Sequence, residues 1–162
     1  MINRLYLGAG FQLRVNRPCP FPDDSAAIII ANHSSPLDPM IIWQGRRRII
    51  GFMMAREYYE VRFVHWISVT MQCIPVDRNG KDLGPTREAL RRLKNGELLG
   101  VFPEGGINLE RKLRAGNPGM AWLALRSQAP VYPVYIQNAP DGKDMVEPFY
   151  NFRQVRVFYG DP

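Results

Sequence analysis

The sequence predicts an α/β fold: a single domain with a mixed, largely parallel β-sheet flanked by helices. Three observations carry this. Short apolar runs alternate with helical patterns, the order expected of a parallel sheet covered on its faces. Three of the runs end in loops of polar and turn-forming residues, and in such sheets sites form at the carboxyl ends of strands. The chain has 162 residues, 46% hydrophobic and 22% charged, enough for one core without covalent staples.

The elements follow in chain order. Residues 1–25 are a lead-in, within which 12–15 read as a strand, and residues 26–162 are the domain. The apolar run 26–31 reads as a strand, 37–44 as a short helix and 48–54 as a buried strand. Residues 58–71 mix aromatic and β-branched side chains, so helix and strand both stand there. Ile74–Val76 is a short strand stopped by the turn Asp77-Arg78-Asn79-Gly80. Residues 86–94 form an amphipathic helix with Ala89, Leu90 and Leu93 on one face, ended by Asn95-Gly96. Residues 98–102 are a strand running into Pro103-Glu104-Gly105-Gly106. Asn117-Pro118 is a cap followed by a first-turn proline and opens a helix over 119–127. Residues 131–136 and 155–159 are the remaining strands.

Composition narrows the partners. The net charge of +6 fits nucleic acid, anionic lipid or a phosphorylated small molecule. Cys19 and Cys73 form neither a disulfide framework nor a metal-binding pattern, which suits a reducing compartment. No transmembrane segment is read, because no run reaches the roughly 18–20 apolar residues a spanning helix needs. The N-terminus is too short in apolar residues for a signal peptide.

The loop Asn32-His33-Ser34-Ser35-Pro36-Leu37-Asp38 sets a histidine and a carboxylate five residues apart at a strand exit. An imidazole can take and return a proton near neutral pH, and a carboxylate on one ring N–H leaves the other nitrogen as a base. The same residues also resemble a helix start, either a capping box from Ser35 to Asp38 or an Asp38-Pro39 cap. Arg78, just past a strand, could hold a phosphate or simply pair with Asp77. Gly105 and Gly106 after a strand allow a ligand to approach the backbone, and Glu104 could bond across the site or sit in a solvated turn. Cys73 reads as a buried, inert thiol, His65 as a packed or interfacial histidine, and the arginines at 46–48, 91–92 and 111–114 as solvated faces.

Together these loops resemble the 1-acyl-glycerol-3-phosphate acyltransferase family, the PlsC-like phospholipid acyltransferases. Asn32, His33 and Asp38 match its Asn-His-x-x-x-x-Asp motif, and Ile74-Pro75-Val76-Asp77-Arg78 its second motif. Phe102, Pro103, Glu104 and Gly105 match Phe-Pro-Glu-Gly, and Ala129-Pro130-Val131-Tyr132-Pro133-Val134 the proline-containing strand. The resemblance covers about residues 26–160.

The resemblance implies acyl transfer from acyl-CoA or acyl carrier protein to a lysophospholipid hydroxyl in phospholipid biosynthesis. His33 would be the base and Asp38 its orienting partner. Arg78 would bind the acceptor phosphate, with Asn32, Phe102, Pro103, Glu104, Gly105 and Gly106 shaping the acceptor site. No metal and no cofactor is expected, since a thioester is already activated. The lipid acceptor implies an anionic membrane surface, met peripherally on the cytoplasmic face; the aromatic stretch 58–66 with the basic clusters would form that contact, or else 58–66 is a buried helix packed on the sheet.

Two departures qualify the match. Many members continue Thr-Arg after the third-motif glycine, where this chain has Gly106-Ile107; Arg111, Lys112 or Arg114 would then supply the charge. The family usually continues past the Gly-x-Pro matched by Gly160-Asp161-Pro162, so the domain reads as C-terminally truncated or minimal. Two rival readings stand beside the enzyme: a lipid- or acyl-CoA-binding module without turnover, and a basic nucleic-acid-binding domain. The last rests on charge alone and leaves the His–Asp spacing unexplained, so no nucleic-acid partner is expected. Oligomeric state, acyl-chain length and acceptor headgroup are not encoded in these patterns.

Overall fold

Seven strands join in one sheet of order β1-β7-β6-β2-β5-β3-β4. They are β1 Arg14–Val15, β2 Ala27–Ala31, β3 Ile50–Ala55, β4 Ile74–Val76, β5 Leu98–Val101, β6 Val131–Gln137 and β7 Arg156–Tyr159. The structure is a computed structural model and describes all residues except 1, 45–46, 78–81, 111, 113 and 143, and the side chains of residues 2, 4 and 63. Every strand pair is parallel except β6–β7, so β7 and its parallel neighbour β1 run against the other five. The expected mixed, largely parallel sheet is what forms. Central β2 reads apolar throughout because both of its faces are covered.

Helices α1 Ile2–Phe11 and α2 Asp38–Trp43 cover one face, burying Leu7, Phe11, Ile41 and Ile42 against Ala27, Ile29 and Ile136. Helices α5 Gly84–Lys94 and α6 Pro118–Ser127 cover the other, with Ala89, Leu93 and Leu123 on Ile28, Leu99 and Val101. Beyond them, β6 and β7 alternate. Val134, Ile136, Val157 and Tyr159 point into the core, while Tyr135, Gln137, Arg156 and Phe158 are exposed on the opposite face.

Several expectations change. No element was expected before residue 12, yet α1 occupies Ile2–Phe11. Gly8 and Gly10 each cost about 1 kcal/mol relative to alanine in a helix, and burial of Leu7 and Phe11 offsets this. The 12–15 strand shrinks to Arg14–Val15. Residues 58–71 resolve as helix, with α3 Arg56–Tyr59 and α4 Arg62–Thr70, and aromatic Trp66 stays in solvent.

The arginine clusters are not uniformly solvated. Arg48 bonds the carbonyls of Pro22 at 2.8 Å, Ser25 at 2.7 Å and Gly96. Arg91 and Arg92 both pair with Glu88. Asp77 is held by Arg56 at 2.8 Å. Among the described residues, no helix is long and apolar enough to cross a membrane.

Candidate active site

Asp38 opens α2 and is fully buried. Its Oδ2 accepts three bonds: from the Ser34 N–H at 2.7 Å, from the Ser35 N–H at 2.9 Å, and from His33 Nδ1 at 3.0 Å. Ser35 Oγ in turn accepts the Leu37 N–H at 3.2 Å. The cap position of α2 is Leu37, with no side-chain cap bond, so the Asp38-Pro39 cap does not form; Asp38 instead reaches back to the turn before the helix, where the carboxylate that ties down the main chain also seats the imidazole. Asp38 Oδ1 is buried with no hydrogen-bond partner among the described residues.

The imidazole is fixed from its face as well. Phe102 stacks on it with ring centroids 4.0 Å apart and planes 12° apart, and Phe52 stacks behind Phe102 at 5.3 Å. Gly100 makes room for Phe52, since a Cβ at that position would lie 2.2 Å from the ring. These three rings line up because β3 and β5 pair in register, Phe52 opposite Gly100.

The main chain of His33 is clamped from both ends. Its N–H donates to Glu104 Oε1 at 3.2 Å, and its carbonyl accepts the Asn108 N–H at 2.6 Å. The Asn108 amide then donates to Glu104 Oε2 and to the Lys112 carbonyl. Gly105 closes the turn that presents Glu104: its N–H bonds the Phe102 carbonyl, and its φ of +71° is a left-handed conformation suited to glycine. The Pro103 carbonyl accepts the Asn117 N–H, tying the turn to the cap of α6. Asn32 exchanges two bonds with the main chain of Ile136, carrying the β2–β6 contact past the end of the strand.

These residues edge an open cleft of about 680 Å³. Asn32, His33, Glu104 and Lys112 line it together; Phe102 backs the imidazole, and Gly106 lies in the adjoining turn. Lys112 is exposed, its Nζ 3.8 Å from Glu110 Oε2. Arg114 is exposed and is not among the cleft residues, and Arg78 and Arg111 lie outside the described residues. The expected site residues otherwise converge from the ends of β2 and β5.

Sequence reasoning missed Asn108, Tyr135, Gln137, Asn138, Gln154 and Arg156, which also line the cleft. The alternation of β6 and β7 was a usable signal for Tyr135, Gln137 and Arg156; nothing local marks Asn108. Cys73 is buried, and that burial pushes its thiol up. His65 is exposed, with its ring edge-on to Tyr59, centroids 5.0 Å apart, and Nδ1 3.0 Å from the Tyr59 carbonyl. Among the described residues no group of three or more His, Cys, Asp or Glu is placed to hold a metal ion.

Comparison with known proteins shows what the chain is similar to. The family model described as Acyltransferase matches residues 12–137. The 1-acyl-sn-glycerol-3-phosphate acyltransferase of Bacillus subtilis (strain 168) is 24% identical over 147 residues, 87% of this chain and 68% of that protein. The N-acylphosphatidylethanolamine synthase of Arabidopsis thaliana is 26% identical over 167 residues, covering 87% of this chain and 57% of its own length. The crystal structure of the 1-acyl-sn-glycerophosphate acyltransferase PlsC from Thermotoga maritima superposes with a TM-score of 0.78 at 25% identity, covering 98% of this chain and 64% of that one. With the fold, the strand-end loops and the family match in agreement, the chain belongs to the acyltransferase family.

Proposed function

We propose that the chain transfers a fatty acyl group from a thioester donor, acyl-CoA or acyl carrier protein, to the hydroxyl of a lysophospholipid. The acceptor would be 1-acyl-glycerol-3-phosphate or a close relative. The observation that carries this reading is the 3.0 Å contact between His33 Nδ1 and Asp38 Oδ2. Because Oδ2 already accepts two main-chain N–H groups, it acts as an acceptor, so Nδ1 carries the proton and Nε2 keeps its lone pair. Nε2 takes the acceptor's hydroxyl proton as the oxygen attacks the thioester carbonyl. The tetrahedral intermediate then expels the thiolate, which recovers the proton from the imidazolium. No metal and no cofactor enters this scheme.

Glu104 and Asn108 hold the His33 main chain, so their part is positioning. Lys112 offers a cation to the acceptor phosphate from the β5 side of the cleft. Arg78 and Arg114 remain candidates for the same charge. A lipid acceptor places the working protein at an anionic membrane surface, peripherally on the cytoplasmic side; exposed Trp66 and Val69 on α4 favour that contact.

An acyl-transfer assay tests the reading. Acyl-CoA and acyl carrier protein donors are offered to a panel of lysophospholipids, with phosphatidylethanolamine added because one relative is named for its N-acylated product. Turnover that falls about 10²–10⁴-fold in His33→Ala is expected. Wild-type rates no higher than the variant's on every acceptor would instead favour a lipid- or acyl-CoA-binding module.

A further inference from the structure

The cleft does not end at the catalytic pair. β2 lies between β5 and β6 in the sheet, so His33 has a wall on each side. The β5 loop, with Glu104, Asn108 and Lys112, forms one wall; Tyr135, Gln137 and Arg156 of β6 and β7 form the other. The proposed acceptor chemistry uses only the first.

The second wall continues onto sheet surface that the helices leave bare. Pairing register places Gln137 beside Arg156 on β7, and Arg156 beside Arg14 on β1. Residues opposite one another in a ladder project to the same face. All three are exposed, so two arginines stand side by side, Arg156 lining the cleft and Arg14 next to it on β1. Neither guanidinium meets a carboxylate among the described residues; Arg156 Nη2 donates only to Gln154 Oε1, at 3.3 Å. One row away, Tyr135 and Phe158 form a ring pair with centroids 6.0 Å apart, both exposed to solvent.

We propose that this surface binds the nucleotide head of a coenzyme A donor: Arg14 and Arg156 take its phosphates, and the Tyr135–Phe158 pair takes its adenine. Unpaired arginines at this density favour a multiply charged anion, and guanidinium forks suit phosphate. An adenine offers a flat π-face to aromatic side chains. Size separates the nucleotide from a carrier protein. Strands of two, four and seven residues, about 4.8 Å apart and rising about 3.3 Å per residue, present roughly 200 Å², well below the ~800 Å² that each partner gives to an ordinary protein interface. The pantetheine arm would then run along the β6 side of the cleft to His33, and the acceptor would approach from the Lys112 side.

This proposal rests on the acyl-transfer reading for its biology, but its test does not depend on turnover. Binding of CoA, 3′-dephospho-CoA and apo acyl carrier protein is measured by titration calorimetry. The proteins are wild type, Arg14→Gln/Arg156→Gln, Tyr135→Ala and, as a control of equal charge change on α5, Arg87→Gln. The expected result is CoA binding that weakens at least about tenfold in the double variant and about fivefold or more in Tyr135→Ala. The control should bind like wild type, and 3′-dephospho-CoA more weakly than CoA. Initial rates should show the donor KM rising in the double variant. Unaltered CoA affinity in both variants overturns the proposal, as does absence of CoA binding to wild type. A rise confined to the acceptor KM would reassign the arginines to the lysophospholipid. Loss of carrier-protein binding with CoA binding intact would reassign the surface to that protein. If acyl transfer fails in every assay while CoA binding behaves as expected, the site stands and the reaction does not.

Discussion

The imidazole of His33 lies face to face with the ring of Phe102, centroids 4.0 Å apart. Phe52 continues the stack at 5.3 Å, and Gly100 sits under Phe52. The proposed base is thus braced through two side chains against the backbone of β5.

Gly100→Ala tests that brace. Its methyl would sit 2.2 Å from Phe52 Cε1, so the ring has to move. Overpacking of this kind costs about 1–3 kcal/mol, readable in urea unfolding. Displacement along the stack should also lower kcat. The double variant Gly100→Ala/Phe52→Leu should recover part of the stability; no recovery would show that the strain lies elsewhere.

Asp38→Asn separates charge from position. All three donors meet Oδ2 and none meets Oδ1. An amide oxygen can occupy the Oδ2 place and keep all three contacts, leaving an NH₂ buried without a partner, at about 1–3 kcal/mol. The variant should fold, lose most of its turnover, and retain more than Asp38→Ala, which removes every contact. Circular dichroism and acyl-transfer rates check both parts.

Arg48 is expected to matter for stability and not for chemistry. Its guanidinium ties the Pro22 and Ser25 carbonyls of the loop before β2 to the Gly96 carbonyl after α5. Arg48→Ala should lower the unfolding free energy by about 1.5–3 kcal/mol, the range for charge-assisted bonds. Arg48→Lys should restore only part, because an ammonium lacks the planar fork. Denaturant midpoints of the three proteins give the comparison.

Glu88 gives a pH dependence. Hydrogen bonds from Arg91 and Arg92 hold its carboxyl at about 2, below the ordinary 4.5. A carboxylate held low in the folded chain contributes its full stability above the unfolded value and loses it as pH falls through the folded one. The gap in urea midpoint between wild type and Glu88→Gln should therefore be constant above pH about 5 and shrink from about 4.5 towards about 2. Because the pair is partly solvated, the gap itself should be small.

What could be seen in the sequence was what the chain decides locally. His33 and Asp38 are five residues apart, and the turn that joins them is built from its own residues, so motif and geometry coincide. The Pro103–Gly105 turn is equally local. Arg156 and Tyr135 reach the cleft through strand register, which no short window contains. Asn108 gains its importance from meeting His33, 75 positions earlier in the numbering, by a main-chain bond that any residue type could make. Helix α1 escaped notice because two glycines weaken its local signal while the core holds it in place.

β2 is encoded early yet sits in the middle of the sheet, between strands made much later. The bonds that fix His33 and Asn32 reach forward 71 residues to Glu104 and 104 residues to Ile136. A ribosome thus releases the histidine and its carboxylate well before either retaining wall has been synthesised. Any fragment ending short of β6 would carry the proposed base and its carboxylate without their setting, so turnover would report that the last third of the chain has docked.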